Sequence, residues 1–193
     1  MNLKQIKNTD IYLLDQILKD RFSKDFKILD AGCGSGRNML YFIENGFDIY
    51  GVDSDTNKIQ MLKNQFDKTK FTVASLENIP FNNNEFNYII CNAVLHFANT
   101  KNHFFAMFSE LFRVLKPNGT LFIRMTSNFG IENLVTNIKD GVYKIPDGSM
   151  RFLLTESLLE KLKSDFNFEF IEPLKTVNVN NLRCMSTLVI KKI

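Results

Sequence analysis

Three glycines at alternate positions, Gly32, Gly34 and Gly36, follow Asp30 and lie between two apolar runs. A loop of this kind lets a ligand touch backbone, because no side chain stands in the way, and it permits the φ > 0 angles of a tight turn. A second acid, Asp53, closes the next apolar run, where one carboxylate can accept hydrogen bonds from both hydroxyls of a ribose. The spacing is not that of a dinucleotide loop, G-x-G-x-x-G, because Arg37 stands where the last glycine belongs. Nor does a Gly-Lys-Ser or Gly-Lys-Thr ending mark a phosphate loop. The three cysteines, Cys33, Cys91 and Cys184, are too widely spaced for a zinc knuckle or a disulfide framework, so no metal site is expected. Cys33 lies inside the glycine loop and is a candidate to line the pocket.

The elements that must hold these residues alternate. Phe26–Ala31 reads as a short buried strand, followed by a helix from Asn38 that stops at Asn45-Gly46. Phe47–Val52 is a second strand, residues 55–66 a helix, Phe71–Ala74 a third strand and Phe86–Cys91 a fourth. Phe104, Phe108, Leu111 and Leu115 mark a helix that ends in the turn Lys116-Pro117-Asn118-Gly119. Thr120–Met125 is a fifth strand, residues 155–165 a helix, and Phe168–Ile171 and Met185–Ile190 two closing strands. Alternating strands and helices predict a parallel sheet covered on both faces. The closing strands are joined too briefly for a parallel crossover, so one of them should run antiparallel. A helix from about Thr9 to Phe22 forms an N-terminal cap over residues 1–24, and the weakly periodic stretch 127–151 is a candidate lid.

The run Ile28-Leu29-Asp30-Ala31-Gly32-Cys33-Gly34-Ser35-Gly36-Arg37-Asn38 resembles motif I of the class I S-adenosylmethionine (SAM)-dependent methyltransferases. Gly51-Val52-Asp53 resembles their ribose-binding acidic motif. Ile79-Pro80-Phe81 with Glu85–Ile90, and Glu110–Leu121, resemble further segments of the small-molecule branch. Gly-Arg-Asn after the loop is similar to the tellurite-resistance type. The resemblance implies a Rossmann-like three-layer sandwich with a seven-stranded sheet in order 3-2-1-4-5-7-6, strand 7 antiparallel. It implies that SAM is the cofactor and S-adenosylhomocysteine the product. Asp30, Gly32, Cys33, Gly34 and Gly36 would surround the methionine part, Asp53 the ribose, Ser54 and Leu76 the adenine, and Asn92 the sulfonium end. Many relatives carry an Asp at the position of Ser75, so Ser75 or Glu77 would receive the adenine amino group.

Methyl transfer is an in-line displacement that needs alignment first and a base only when the nucleophile keeps its proton. His96, after the fourth strand, is the candidate base. Asn92-Ala93-Val94-Leu95 lacks the Asn- or Asp-Pro-Pro-aromatic run of base N-methylases. Arg124, Tyr143, Arg151 and Arg183 are candidate substrate contacts, and several arginines near one mouth would suit an anionic or carboxylate acceptor.

A net charge of +3, with cations scattered among acids, gives no nucleic-acid footprint. No apolar run approaches membrane-spanning length, and the N-terminal residues lack an apolar signal core, so a cytoplasmic monomer or homodimer is expected, a single domain over 1–193. The leading expectation is methyl transfer to a small molecule. RNA or protein methylation, a non-catalytic SAM-binding scaffold, and an NAD-dependent oxidoreductase stand as alternatives; Arg37 opposes the last.

Overall fold

The computed structural model describes residues 3–193, so the first two residues of the expected N-terminal cap lie outside the described part. The helices are α1 (Leu3–Ile6), α2 (Ile11–Leu18), α3 (Leu40–Glu44), α4 (Thr56–Gln65), α5 (Lys101–Val114) and α6 (Glu156–Asp165). The main sheet contains β1 (Lys27–Ala31), β2 (Asp48–Asp53), β3 (Phe71–Val73), β4 (Phe86–Asn92) and β5 (Leu115–Ser127). A small second sheet follows, of β6 (Thr136–Lys139), β7 (Val142–Lys144) and β8 (Met150–Phe152). The chain then returns to the main sheet with β9 (Phe168–Phe170), β10 (Lys175–Val179) and β11 (Arg183–Lys192).

Alternation within the strands sorts side chains into two layers. Ile28, Tyr88, Ile90, Phe122 and Val189 pack on the face covered by Leu13 of α2, Phe42 of α3, and Ile59 and Leu62 of α4. Leu29, Ile89, Cys91, Leu121, Ile123 and Leu188 pack on the opposite face, against α5 and α6. Burial of both faces is what a parallel sheet requires, and the three-layer Rossmann-like sandwich follows from it.

The strand order is β3-β2-β1-β4-β5-β11, with β1 to β5 parallel and β11 antiparallel to β5. This is the expected order, with one difference at the edge. The place of strand 6 is divided between β9 and β10, both antiparallel to β11, which makes eight strands instead of seven. Pro173 stands in the interruption between them; it has no N–H to give to the ladder. The turn expected at Lys116–Gly119 proves to be a bulge within β5: Leu115 pairs with Phe86 and Thr120 with Tyr88, leaving four residues outside the ladder with Asn118 at φ 62°. Asn87 anchors this corner, its Oδ1 accepting from Lys27 N (3.1 Å) and Lys116 Nζ (2.9 Å).

Residues 127–151 hold one short 3-10 turn, Glu132–Leu134, and then the strands of the antiparallel β6-β7-β8 meander. The Asp140-Gly141 pair turns the first hairpin with both residues at positive φ, the backbone a two-residue hairpin demands. A Cβ at Gly141 would lie 2.3 Å from the Phe152 ring, which stacks on Phe104 of α5 (4.9 Å between centroids) and so docks the meander on the main body. No helix among the described residues is long and apolar enough to cross a membrane.

Arg113 on α5 fixes the loop that follows β3. Its guanidinium donates to Ile79 O (2.9 Å), Phe81 O (2.9 Å) and Asn83 Oδ1 (2.8 Å) while paired with Glu110, which itself accepts from Ile79 N (2.9 Å). Arg113→Met leaves these acceptors without their donor, at about 2 kcal/mol. Thermal unfolding should fall by roughly 4–8 °C for a chain of this size; a drop under about 1 °C would show that the fork does not hold the loop.

Candidate functional site

A hollow of about 580 Å³ opens beyond the carboxyl ends of β1, β2, β3 and β4, where an open α/β sheet places its ligands. Gly32 and Gly34 form one wall, Asp53 and Ser54 another, and Ser75, Leu76 and Glu77 a third. Each strand delivers its residues at the point where its ladder stops. The loop after β1 is tied to β2 by Gly32 N and Cys33 N, both donating to Val52 O (2.8 and 2.9 Å).

The glycines differ in why they are needed. A Cβ at Gly32 would lie 2.3 Å from Val94, so the room there is already taken by protein. Gly34, at φ 55°, has no heavy atom within 4 Å of such a Cβ; the space above it is open. Asp53 Oδ2 accepts from Gly34 N (2.8 Å) and Oδ1 from Asp55 N (2.9 Å), so the acid clasps the glycine loop with both oxygens. Each oxygen keeps a further lone pair.

Asp30 is only 1% exposed, and its Oδ2 has no hydrogen-bond partner among the described residues. Burial, reinforced by the neighbouring Asp53 charge and opposed by Arg37, pushes its carboxyl up to about 7. Asn92, at the end of β4, is buried with neither Oδ1 nor Nδ2 bonded. Neither residue is among those that line the hollow; both lie behind it at the strand ends, and Thr9, Gln16, Tyr88, Arg124 and Asn128 also carry unpaired buried atoms. Cys33 does not line the hollow. Its side chain packs in the core beside Met39, and a Cβ on Gly51 would lie 2.9 Å from its Sγ, so any part it plays at the loop falls to its backbone. Burial pushes its thiol well above the ordinary range, which keeps it protonated.

The third wall is a paired unit. Ser75 Oγ donates to Glu77, and Glu77 Oε1 lies 2.9 Å from His103 Nε2. His103 Nδ1 accepts from Asn99 N (3.1 Å), so its proton sits on Nε2 and points to the acid. Sequence reasoning gave His103 no part. It borders the hollow with Met107, one helical turn along α5, and that i, i+4 spacing is the signal that was there to be used.

His96 is buried and borders a second hollow. Its Nδ1 accepts from Thr126 N at 3.3 Å, which fixes the neutral Nε2–H tautomer. Burial first, then Arg151, Arg183 and Arg124, lower its pKa to about 4. The expectation of a general base is thereby corrected: the one basic lone pair already holds a backbone amide.

The four candidate substrate residues part company. Arg124 Nη1 is bound to Asp10 Oδ2 (3.1 Å), while Asp10 caps α2 through Tyr12 N (3.0 Å) and donates its own N–H to Asn38. Arg124 therefore ties the N-terminal cap to β5, and it lines neither the hollow over Gly34 nor the one beside His96. Tyr143 lines a separate hollow with Phe105 and Lys161, and Arg183 lies 3.8 Å from Asp147. Arg151 alone of the four borders the hollow beside His96.

Residues 29–123 match the family model described as a methyltransferase domain. An uncharacterized methyltransferase of Bacillus subtilis, YodH, is 32% identical over 103 residues, 51% of this chain and 42% of that protein. The matched stretch thus spans less than half of that relative. The fold is similar to that of a SAM-dependent methyltransferase of Methanosarcina mazei, with TM-score 0.73, 20% identity, and 92% and 97% of the two chains covered. It is also similar to 1,6-didemethyltoxoflavin-N1-methyltransferase of Burkholderia thailandensis, solved with bound 1,6-didemethyltoxoflavin and S-adenosylhomocysteine, with TM-score 0.67, 20% identity, and 91% and 75% covered. The segment that carries the glycine loop, the Asp53 clasp and the Arg113 fork thus matches a methyltransferase domain, and the sheet that holds it has a fold similar to those of SAM-dependent methyltransferases.

Proposed function

We propose that this chain transfers a methyl group from SAM to a small-molecule acceptor. The observation that carries the reading is the open space over Gly34, bounded by the Asp53 carboxylate and accompanied by the orphaned atoms of Asp30 and Asn92. Asp53 would hold the ribose with its spare lone pairs, and Glu77, oriented by Ser75 and His103, would accept the adenine amino group. Asp30 and Asn92 would meet the methionine end. When bound, SAM supplies a methyl group that is already activated, so the protein's task is alignment and exclusion of water. The β6-β7-β8 meander, beside the Leu95–Phe97 turn, would act as the lid expected over 127–151. His96 would orient an acceptor by donating from Nε2 and would not take its proton.

Calorimetry with S-adenosylhomocysteine should show micromolar binding, and none with NAD. Asp53→Ala should weaken it about tenfold or more, since a hydrogen bond to a charged group contributes about 1.5–3 kcal/mol. Wild-type affinity in that variant would remove Asp53 from the ribose site.

Asp30 gives a pH dependence. The folded carboxyl keeps its proton up to about pH 7, whereas the unfolded one loses it near 4, so its contribution to stability is lost as pH rises through that window. A ligand ammonium would favour the ionised form. Affinity for S-adenosylhomocysteine should therefore climb between about pH 5 and 7, with proton release, and Asp30→Asn should flatten the climb. A wild-type profile as flat as the variant's would separate Asp30 from the ligand.

For His96 the sign is opposite. Its folded pKa of about 4 lies below the unfolded value near 6.5, so its contribution to stability is present above 6.5 and lost as pH falls toward 4. Nitrogen NMR should report a neutral Nε2–H imidazole throughout pH 6–8, a range set by that pKa. A midpoint above pH 6 would restore the base.

A further inference from the structure

The hollow beside His96, about 330 Å³, lies between the Leu95–Phe97 turn and the β6–β8 meander. Phe97, 58% exposed, borders both this hollow and the one over Gly34, so the two adjoin at its ring. Two kinds of side chain line the second hollow. Phe97, Ile138 and Met150 are large apolar groups left exposed. Lys139 and Arg151 are cations, and no carboxylate lines the space.

Neither cation has a carboxylate within ion-pair distance among the described residues. Arg151 lies over the Phe97 ring at 5.1 Å and donates Nη1 to Met150 O, which leaves most of its five N–H groups unused. The acid on the neighbouring turn, Asp147, is engaged by Ser149 N (2.9 Å) and Oγ (2.6 Å); its charge acts on Arg183 and, beyond ion-pair distance, on Arg151. His96 adds a neutral donor: its Nδ1 is taken by Thr126, and its Nε2–H has no partner among the described residues.

We propose that this hollow is the acceptor site and binds a small carboxylate with an apolar body. The carboxylate is held by Arg151 and Lys139 and receives a hydrogen bond from His96; the apolar body covers Phe97, Ile138 and Met150. This rests on the methyl-transfer reading above. A neutral molecule in the same place would cover two cations without pairing them, which costs free energy. A carboxylate matches the planar fork of arginine.

The test uses protein saturated with S-adenosylhomocysteine, titrated with benzoate and hexanoate beside benzamide and hexanamide, and followed by NMR with the His96 imidazole labelled. The acids should bind about tenfold or more tightly than the amides and should move the Nε2–H resonance. Arg151→Met should cost benzoate about tenfold, Lys139→Met less, and Arg151→Lys an intermediate amount that certifies the fold, all with unchanged affinity for S-adenosylhomocysteine. Acids that bind no better than amides, or an Arg151→Met protein that keeps wild-type affinity for benzoate, overturn the proposal. A wild-type protein that fails to bind S-adenosylhomocysteine refutes the methyl-transfer reading itself, and does so before any acid is added.

Discussion

The carboxylate of Asp53 holds two backbone amides at once, Gly34 N with one oxygen and Asp55 N with the other. One end of that bridge is the glycine loop after β1; the other is the entrance to α4. The bridge works only because β1 and β2 run parallel in register, with Ala31 beside Val52. That pairing brings the ends of both strands to one edge. The loop must then turn through positive φ at Gly32, Gly34 and Gly36, where a side chain is strained. With the turn made, the helix that follows packs Phe42 on the sheet, and Leu62 of α4 closes against Gly36. Parallel register, glycine turn and acid clasp are thus one constraint seen at three scales.

The parts of the fold that were legible in the sequence are those governed by burial. Leu29, Ile89 and Phe122 lie in strands whose residues are apolar because both faces are covered, and such runs stand out wherever they occur. The parts that were not legible are governed by turn geometry. β6 is exposed at every residue, and β10 alternates only over Val177 and Val179, too short a run to stand out. Their signal lay in the connections: Asp140-Gly141, and Asn180-Asn181 with φ of 51° and 55°. These residue types accept left-handed backbone, and each pair links two antiparallel strands.

The site divides along the same line. Glycines and acids at strand ends were readable, because their positions follow from the strands. The roles of Arg124, Cys33 and His96 were not, because they depend on what the far side of each residue meets. Arg124 found Asp10, 114 residues away in sequence. Cys33 turned into the core between the first two strands. His96 met a backbone N–H from β5, a contact that reverses its chemistry from acceptor to donor. Long-range partners of this kind leave no local trace in a sequence.

The polar atoms of the molecule are unevenly satisfied. Arg113 has a partner for nearly every donor, as does the Asp15–Lys19–Glu172–Lys175 cluster between α2 and β10. Asp30 Oδ2 and both polar atoms of Asn92, at the ends of β1 and β4, have none among the described residues, as is also true of Tyr88 OH within the sheet. An unmet buried polar group costs about 1–3 kcal/mol. A fold that needed these residues only for packing would gain by making them apolar. Keeping them polar makes sense if a ligand's groups complete the hydrogen bonds, for the cost carried by the free protein then returns as binding energy and as selectivity against molecules that cannot pair.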